Sequence, residues 1–176
     1  MNIQLNTGEG PSALHWYAVY TRSRAEKKAA EDFRRKGIEF YLPIKKVRKV
    51  WTTRTRVVDF PLISCYLFVR VDHRRYYDVL MTPGVMWYVC FNGKPAIIPD
   101  RQIRSLMVLE KVLNESLVVT SEHIEKDDLI EVLSGPLAGV QGEVVRIKGK
   151  SHLVLRFRSL GCCIHVSQEA LHFRKV

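Results

Sequence analysis

Ser134-Gly135-Pro136-Leu137-Ala138-Gly139-Val140-Gln141-Gly142 decides how the C-terminal part of this chain folds. Three glycines and a proline in nine residues disfavour a helix, where glycine costs about 1 kcal/mol and proline about 3 kcal/mol. Asp127, Asp128 and Leu129 lead into the stretch, and Glu143 and Val144 leave it. It reads as a glycine turn between two strands, with the glycines supplying left-handed or crowded backbone geometry. Short β-rich segments then recur, 129–132, 142–147, 153–157 and 164–166, divided by glycines at 135, 139, 149 and 161. Strands this short and turns this tight, within about fifty residues, predict a small SH3-like β-barrel over 127–176 that keeps its strands and does not refold as helix.

Toward the N-terminus, 119–126 is polar and aperiodic and reads as a linker, while 15–118 alternates strand and helix signals. Residues 1–14 read as a flexible leader. Trp16, Tyr17, Val19 and Tyr20 form a β-favouring run. Ser23 and Glu26 have the spacing of a capping box, so a helix is predicted there, with Ala25, Ala29, Ala30 and Phe33 inward and Gly37 as its stop. Glu39 to Val50 runs as a strand into a basic arm. Lys45 to Arg56 carries six cations and no acid, which predicts an extended hairpin or loop. Leu62 to Val71 reads as a central strand and Asp72 as the cap of a short helix through Leu80. Met86 to Phe91 and Ala96 to Ile98 flank an Asn92-Gly93 turn. Asp100 then caps a helix with Ile103, Leu106, Met107 and Leu113 on one face. The fold class is α+β.

Charge narrows the function. The net charge is +10, and residues 22–75 hold 16 Lys and Arg against 6 Asp and Glu, so the whole surplus lies there. Such a block attracts phosphate backbones or acidic surfaces, or serves only as a solvated face. Catalysis has no support: there is no Gly-x-Ser-x-Gly elbow, no P-loop or dinucleotide fingerprint and no paired helical histidines, and Cys163 with His165 makes a poor nucleophile and base. Cysteines 65, 90, 162 and 163 lack the two-residue spacing of a zinc site and read as small hydrophobes in a reducing compartment. No metal or cofactor is expected. The lack of a signal region or membrane span predicts a cytoplasmic protein.

A different signal comes from the aromatic residues Tyr20, Tyr66, Phe68 and Phe91, spread over three strands. Each alone reads as core, yet together they can line one sheet face and mark a partner site.

The glycine turn looks like the KOW motif. Trp16 to Tyr20, Tyr66-Leu67-Phe68-Val69 and Pro83-Gly84-Val85 resemble the NusG N-terminal (NGN) domain. Pro95 to Pro99 and Asp59 to Val69 also resemble the specialised paralogues RfaH and UpxY. The resemblance implies an NGN α/β sandwich, an antiparallel sheet flanked by helices, over 15–118, followed by a KOW barrel. It implies a transcription elongation or antitermination factor, not an enzyme, acting at particular operons. By the same resemblance Tyr20, Ile63, Tyr66, Phe68 and Phe91 would bind the clamp helices of the largest catalytic RNA polymerase subunit. Arg22, Arg24, Lys27 and Lys28 would meet the non-template DNA strand. Lys45, Lys46, Arg48, Lys49, Trp51, Arg54 and Arg56 would add contacts to upstream duplex or nascent RNA. Leu137 sits where the family contacts a small-subunit ribosomal protein. Arg74 to Tyr77 lack the family's His-Thr-Thr pattern for the opposite gate loop. A ribosome- or RNA-binding KOW protein is the alternative.

Overall fold

A computed structural model describes residues 13–51, 54–113, 116–120, 129–147, 150–167 and 173–176. They divide into two compact units, the first made of residues up to 42 with 63–100, the second of 43–62 with 101–176.

In the first unit the sheet has the order β2-β5-β1-β6, with β9 also paired to β1. The strands are β1 (His15–Thr21), β2 (Glu39–Tyr41), β5 (Tyr66–Val71), β6 (Val85–Tyr88) and β9 (Ile97–Ile98), all antiparallel. Strand alternation sends Tyr17, Val19, Leu67, Val69 and Val71 to one face. There Ala29 and Phe33 of α1 (Glu26–Arg35) and Tyr76 and Val79 of α2 (Tyr76–Leu80) complete the core. Tyr76 and Tyr88 stack with centroids 4.2 Å apart, and the Tyr88 hydroxyl donates to the Tyr76 carbonyl, so this buried phenol has a partner. Asp72 accepts from the backbone N–H groups of Arg74 and Arg75 and starts the helical turn that leads into α2, as its sequence position predicts. A small hairpin of β7 (Cys90–Phe91) and β8 (Lys94–Pro95) closes through Asn92 and Gly93, both at positive φ.

Three expectations are corrected here. The capping box does not form: α1 begins at Glu26 with no side-chain cap, because the buried Glu26 carboxylate is taken by the Cys65 N–H at 2.7 Å. The central strand starts at Tyr66 rather than Leu62, since Cys65 adopts φ 65° and breaks the extended run. In α3 (Asp100–Leu113) the buried apolar residues are Ile103, Leu106 and Leu109, while Met107 is 38% exposed.

In the second unit β3 (Ile44–Trp51) and β4 (Arg54–Pro61) form the hairpin expected of the basic arm. The C-terminal strands are β10 (Val118–Thr120), β11 (Leu129–Val132), β12 (Gln141–Ile147), β13 (Lys150–Phe157), β14 (Cys162–Ser167) and β15 (Phe173–Lys175). They form one six-stranded antiparallel sheet in the order β10-β14-β13-β12-β11-β15. Leu153, Leu155, Phe157, Ile164 and Val166 are buried along it. The segment expected to open the linker is strand up to Thr120, paired with β14; the rest of 119–126, like residues 1–12, lies outside the described residues. The deciding turn behaves as read. Gly135 and Gly139 are left-handed, at φ 81° and 82°. At Gly142 a Cβ would lie 2.7 Å from the Val154 carbonyl oxygen, so only glycine lets β12 approach β13. Beyond it, Arg156 holds the buried Glu143 carboxylate through two hydrogen bonds, of 3.1 and 2.8 Å. Two hydrogen-bonded contacts of this kind are what make a buried carboxylate tolerable.

Candidate functional site

The second face of the first sheet is built by the residues that alternate with the core, Trp16, Ala18 and Tyr20 on β1 and Tyr66, Phe68 and Arg70 on β5. The pairing register sets Tyr20 opposite Tyr66 on one side and opposite Trp87 on the other. The three rings form a ladder. Tyr20 meets Tyr66 edge-on at 5.1 Å and stacks on Trp87 at 4.8 Å with an interplanar angle of 9°. Trp87 is 52% exposed, Tyr20 and Tyr66 are half-buried and Met86 is exposed. The neighbouring Cys65 raises the Tyr20 pKa, first through charge interaction and then through a side-chain hydrogen bond.

Not every aromatic residue expected at this surface is exposed on it. Phe68 is fully buried, its ring stacked on Tyr41 at 6.1 Å, and Ile63 is buried in the turn before β5. Neither side chain therefore presents surface on this face. Phe91 is 60% exposed but belongs to the separate β7–β8 hairpin.

Beside the ladder lie the cations at the start of α1. Arg22, Arg24, Lys27 and Lys28 are all exposed, and the Arg22 Nε reaches the Met86 Sδ at 3.4 Å. The Arg22 N–H bonds the Gly84 carbonyl and the Thr21 N–H bonds the Cys65 carbonyl, so the end of β1 is fixed to both neighbouring turns. Cations and aromatic faces thus share one edge of the first unit, an arrangement suited to a partner with apolar and anionic groups side by side.

The basic arm divides by register. Lys45 donates to the Leu117 carbonyl at 2.6 Å and is engaged internally. Lys46 lies opposite Asp59, and Arg48 shares its face. Lys49 is paired directly with Arg56, and Trp51 with Arg54. Like charges placed directly across a ladder repel, and Lys49, Arg54 and Arg56 are all exposed. The Lys49 ammonium also lies over the Phe60 ring at 4.9 Å. An anion on this face would relieve the repulsion. Leu137 is 5% exposed, because hydrogen bonds from Ala138 to Gly135 and from Val140 to Leu137 curl the turn and draw it inward. Its side chain therefore offers little surface for the expected ribosomal contact.

Residues 14–107 match the family model described as "Transcription termination factor nusG". The chain belongs to the NusG family. A transcription elongation factor Spt5 of Acidianus ambivalens is 33% identical over 91 residues, 45% of this chain and 60% of that protein, so the chain spans less than two thirds of this relative's length. The solved structure described as "Domain interaction in Thermotoga maritima NusG" superposes with a TM-score of 0.51 at 21% identity, over 95% of this chain and 99% of that one. That likeness supports the NusG-type mixed fold. Within it, Trp87 and Met86 are the residues that reading the sequence missed. The signal was present as an aromatic run over 86–91, but which ring would join Tyr20 depends on a register set by non-local pairing.

Proposed function

We propose that this NusG-family chain is a non-enzymatic transcription elongation and antitermination factor. It binds RNA polymerase through the aromatic ladder of its first unit and suppresses pausing or termination, at particular operons. The observation that carries the reading is the half-exposed Tyr20–Tyr66–Trp87 ladder flanked by Arg22, Arg24, Lys27 and Lys28. Polymerase clamp helices would cover the rings, and the cations would lie along the displaced non-template strand. Phosphate contacts of this kind position DNA without reading its sequence. Holding polymerase closed on nucleic acid shifts its equilibrium away from the paused conformation, which requires only differential binding and no chemistry.

The reading keeps two functional domains, an NGN domain over 15–118 and a KOW-type barrel over 127–176. The cytoplasm is the compartment it requires, and among the described residues no helix is long and apolar enough to cross a membrane. The Lys49, Arg54 and Arg56 face of the β3–β4 hairpin would hold upstream duplex or nascent RNA. Transcription of a pausing template by polymerase, with and without the full chain, tests the proposal. Shortened pauses are expected; unchanged pausing together with tight ribosomal RNA binding would favour a ribosome- or RNA-binding protein.

A further inference from the structure

His152 and His165 are thirteen residues apart in sequence and carry no metal motif, but the β13–β14 register makes them diagonal neighbours on one face. His165 pairs with Val154, two residues along from His152, within a ladder that runs unbroken from His152↔Ser167 to Phe157↔Cys162. Their Nδ1 atoms approach to 3.2 Å and their ring centroids to 5.1 Å, with the planes at 64°. Both side chains are half-buried and so reachable from solvent.

These two distances can be compared with what a metal requires. A tetrahedral ion about 2.0–2.1 Å from each imidazole nitrogen sets the two nitrogens about 3.3 Å apart and the ring centroids about 5.2 Å apart. The hydrogen-bonded pair, at 3.2 and 5.1 Å, lies close to both distances. We propose that His152 and His165 form a two-ligand site for a divalent ion of the zinc and nickel class, which clips β13 to β14 and holds water, or a ligand from another molecule, at its remaining positions. Imidazole donors suit these ions. Among the described residues no third His, Cys, Asp or Glu joins the two. The proposed site has two protein ligands, whereas a structural zinc site uses four.

The test is a zinc chloride titration of the full chain, followed through the imidazole NMR resonances. The resonances of His152 and His165 are expected to shift together and saturate at one ion per chain. Asparagine keeps a hydrogen-bonding group near the Nδ1 position but binds zinc poorly. Affinity should therefore fall at least about tenfold in His152→Asn and in His165→Asn. The thermal midpoint should rise with zinc in the parent chain and not in the double variant. Circular dichroism of the metal-free variants confirms that the strands remain. The proposal is overturned if neither resonance responds below about 1 mM zinc, the outcome of a hydrogen-bonded pair only. It is equally overturned if zinc affinity survives both substitutions.

Discussion

The Glu26 carboxylate accepts the backbone N–H of Cys65 at 2.7 Å, tying the first turn of α1 to the loop that launches β5. Glu26 is 4% exposed and Cys65 stands at φ 65°, a left-handed conformation that an L-residue holds only with support. The bond therefore sets where Tyr66 begins and fixes the cations of α1 beside it. Glu26→Ala leaves that amide unpaired and is expected to cost about 2 kcal/mol, with Glu26→Gln costing less than half as much because an acceptor oxygen remains. Urea unfolding of the three proteins measures this. Equal losses in both variants would show that the hydrogen bond is not what Glu26 contributes.

Gly142 permits the close approach of β12 to β13. Gly142→Ala places a methyl group against the Val154 carbonyl oxygen, a backbone atom in a paired ladder that cannot turn aside. A loss of about 2–3 kcal/mol is expected, from overpacking. Gly161→Ala meets no atom within 4 Å and tests only its φ of 62°, so its loss should be smaller, about 1 kcal/mol. Thermal melts of the two variants side by side decide the order.

These examples show which parts were legible. The glycine turn, the Asn92-Gly93 hairpin and the Asp72 cap depend on backbone preferences of a few adjacent residues, so local reading found them. Glu26 was misread because Ser23 and Glu26 have capping-box spacing, while a partner distant in sequence, Cys65, takes the carboxylate. The aromatic candidates were recognised by type, but burial separated them: Phe68 is covered and Trp87 is open. No single-strand pattern tells those apart, since the outcome depends on register and on what lies across the sheet. Leu137 followed the same rule, as did the histidine pair on β13 and β14.

The hairpin charges give a prediction in salt. Replacing Lys49, Arg54 and Arg56 by Gln removes three exposed cations from one face. If each meets a phosphate, the slope of log affinity for duplex DNA against log salt should become shallower by about 2–3. Replacing Lys45, which is bonded to the Leu117 carbonyl, should change that slope much less. Filter binding at several salt concentrations checks both.

Thiol labelling tests burial in the C-terminal sheet. Burial, and then the neighbouring Cys163, push the Cys162 thiol up to about 11, and burial also raises Cys163, offset in part by Arg156. At pH 8 about one Cys162 in a thousand is thiolate, and its labelling should quicken about tenfold per pH unit up to pH 10. Cys90 is exposed and should label first. Stopped-flow reaction with a disulfide reagent, using single-cysteine chains, gives the order; fast labelling of Cys162 at pH 8 would show that β14 is open.

The most direct measurement is retention of purified RNA polymerase on the immobilised full chain, compared with Trp87→Ala and Tyr66→Ala. Trp87 packs against Tyr20 from an exposed position, so its removal should leave the circular dichroism spectrum unchanged. Bound polymerase should fall at least about tenfold in each variant, the loss of one central aromatic anchor. Undiminished retention by both folded variants would contradict the assignment of this ladder as the surface that polymerase covers.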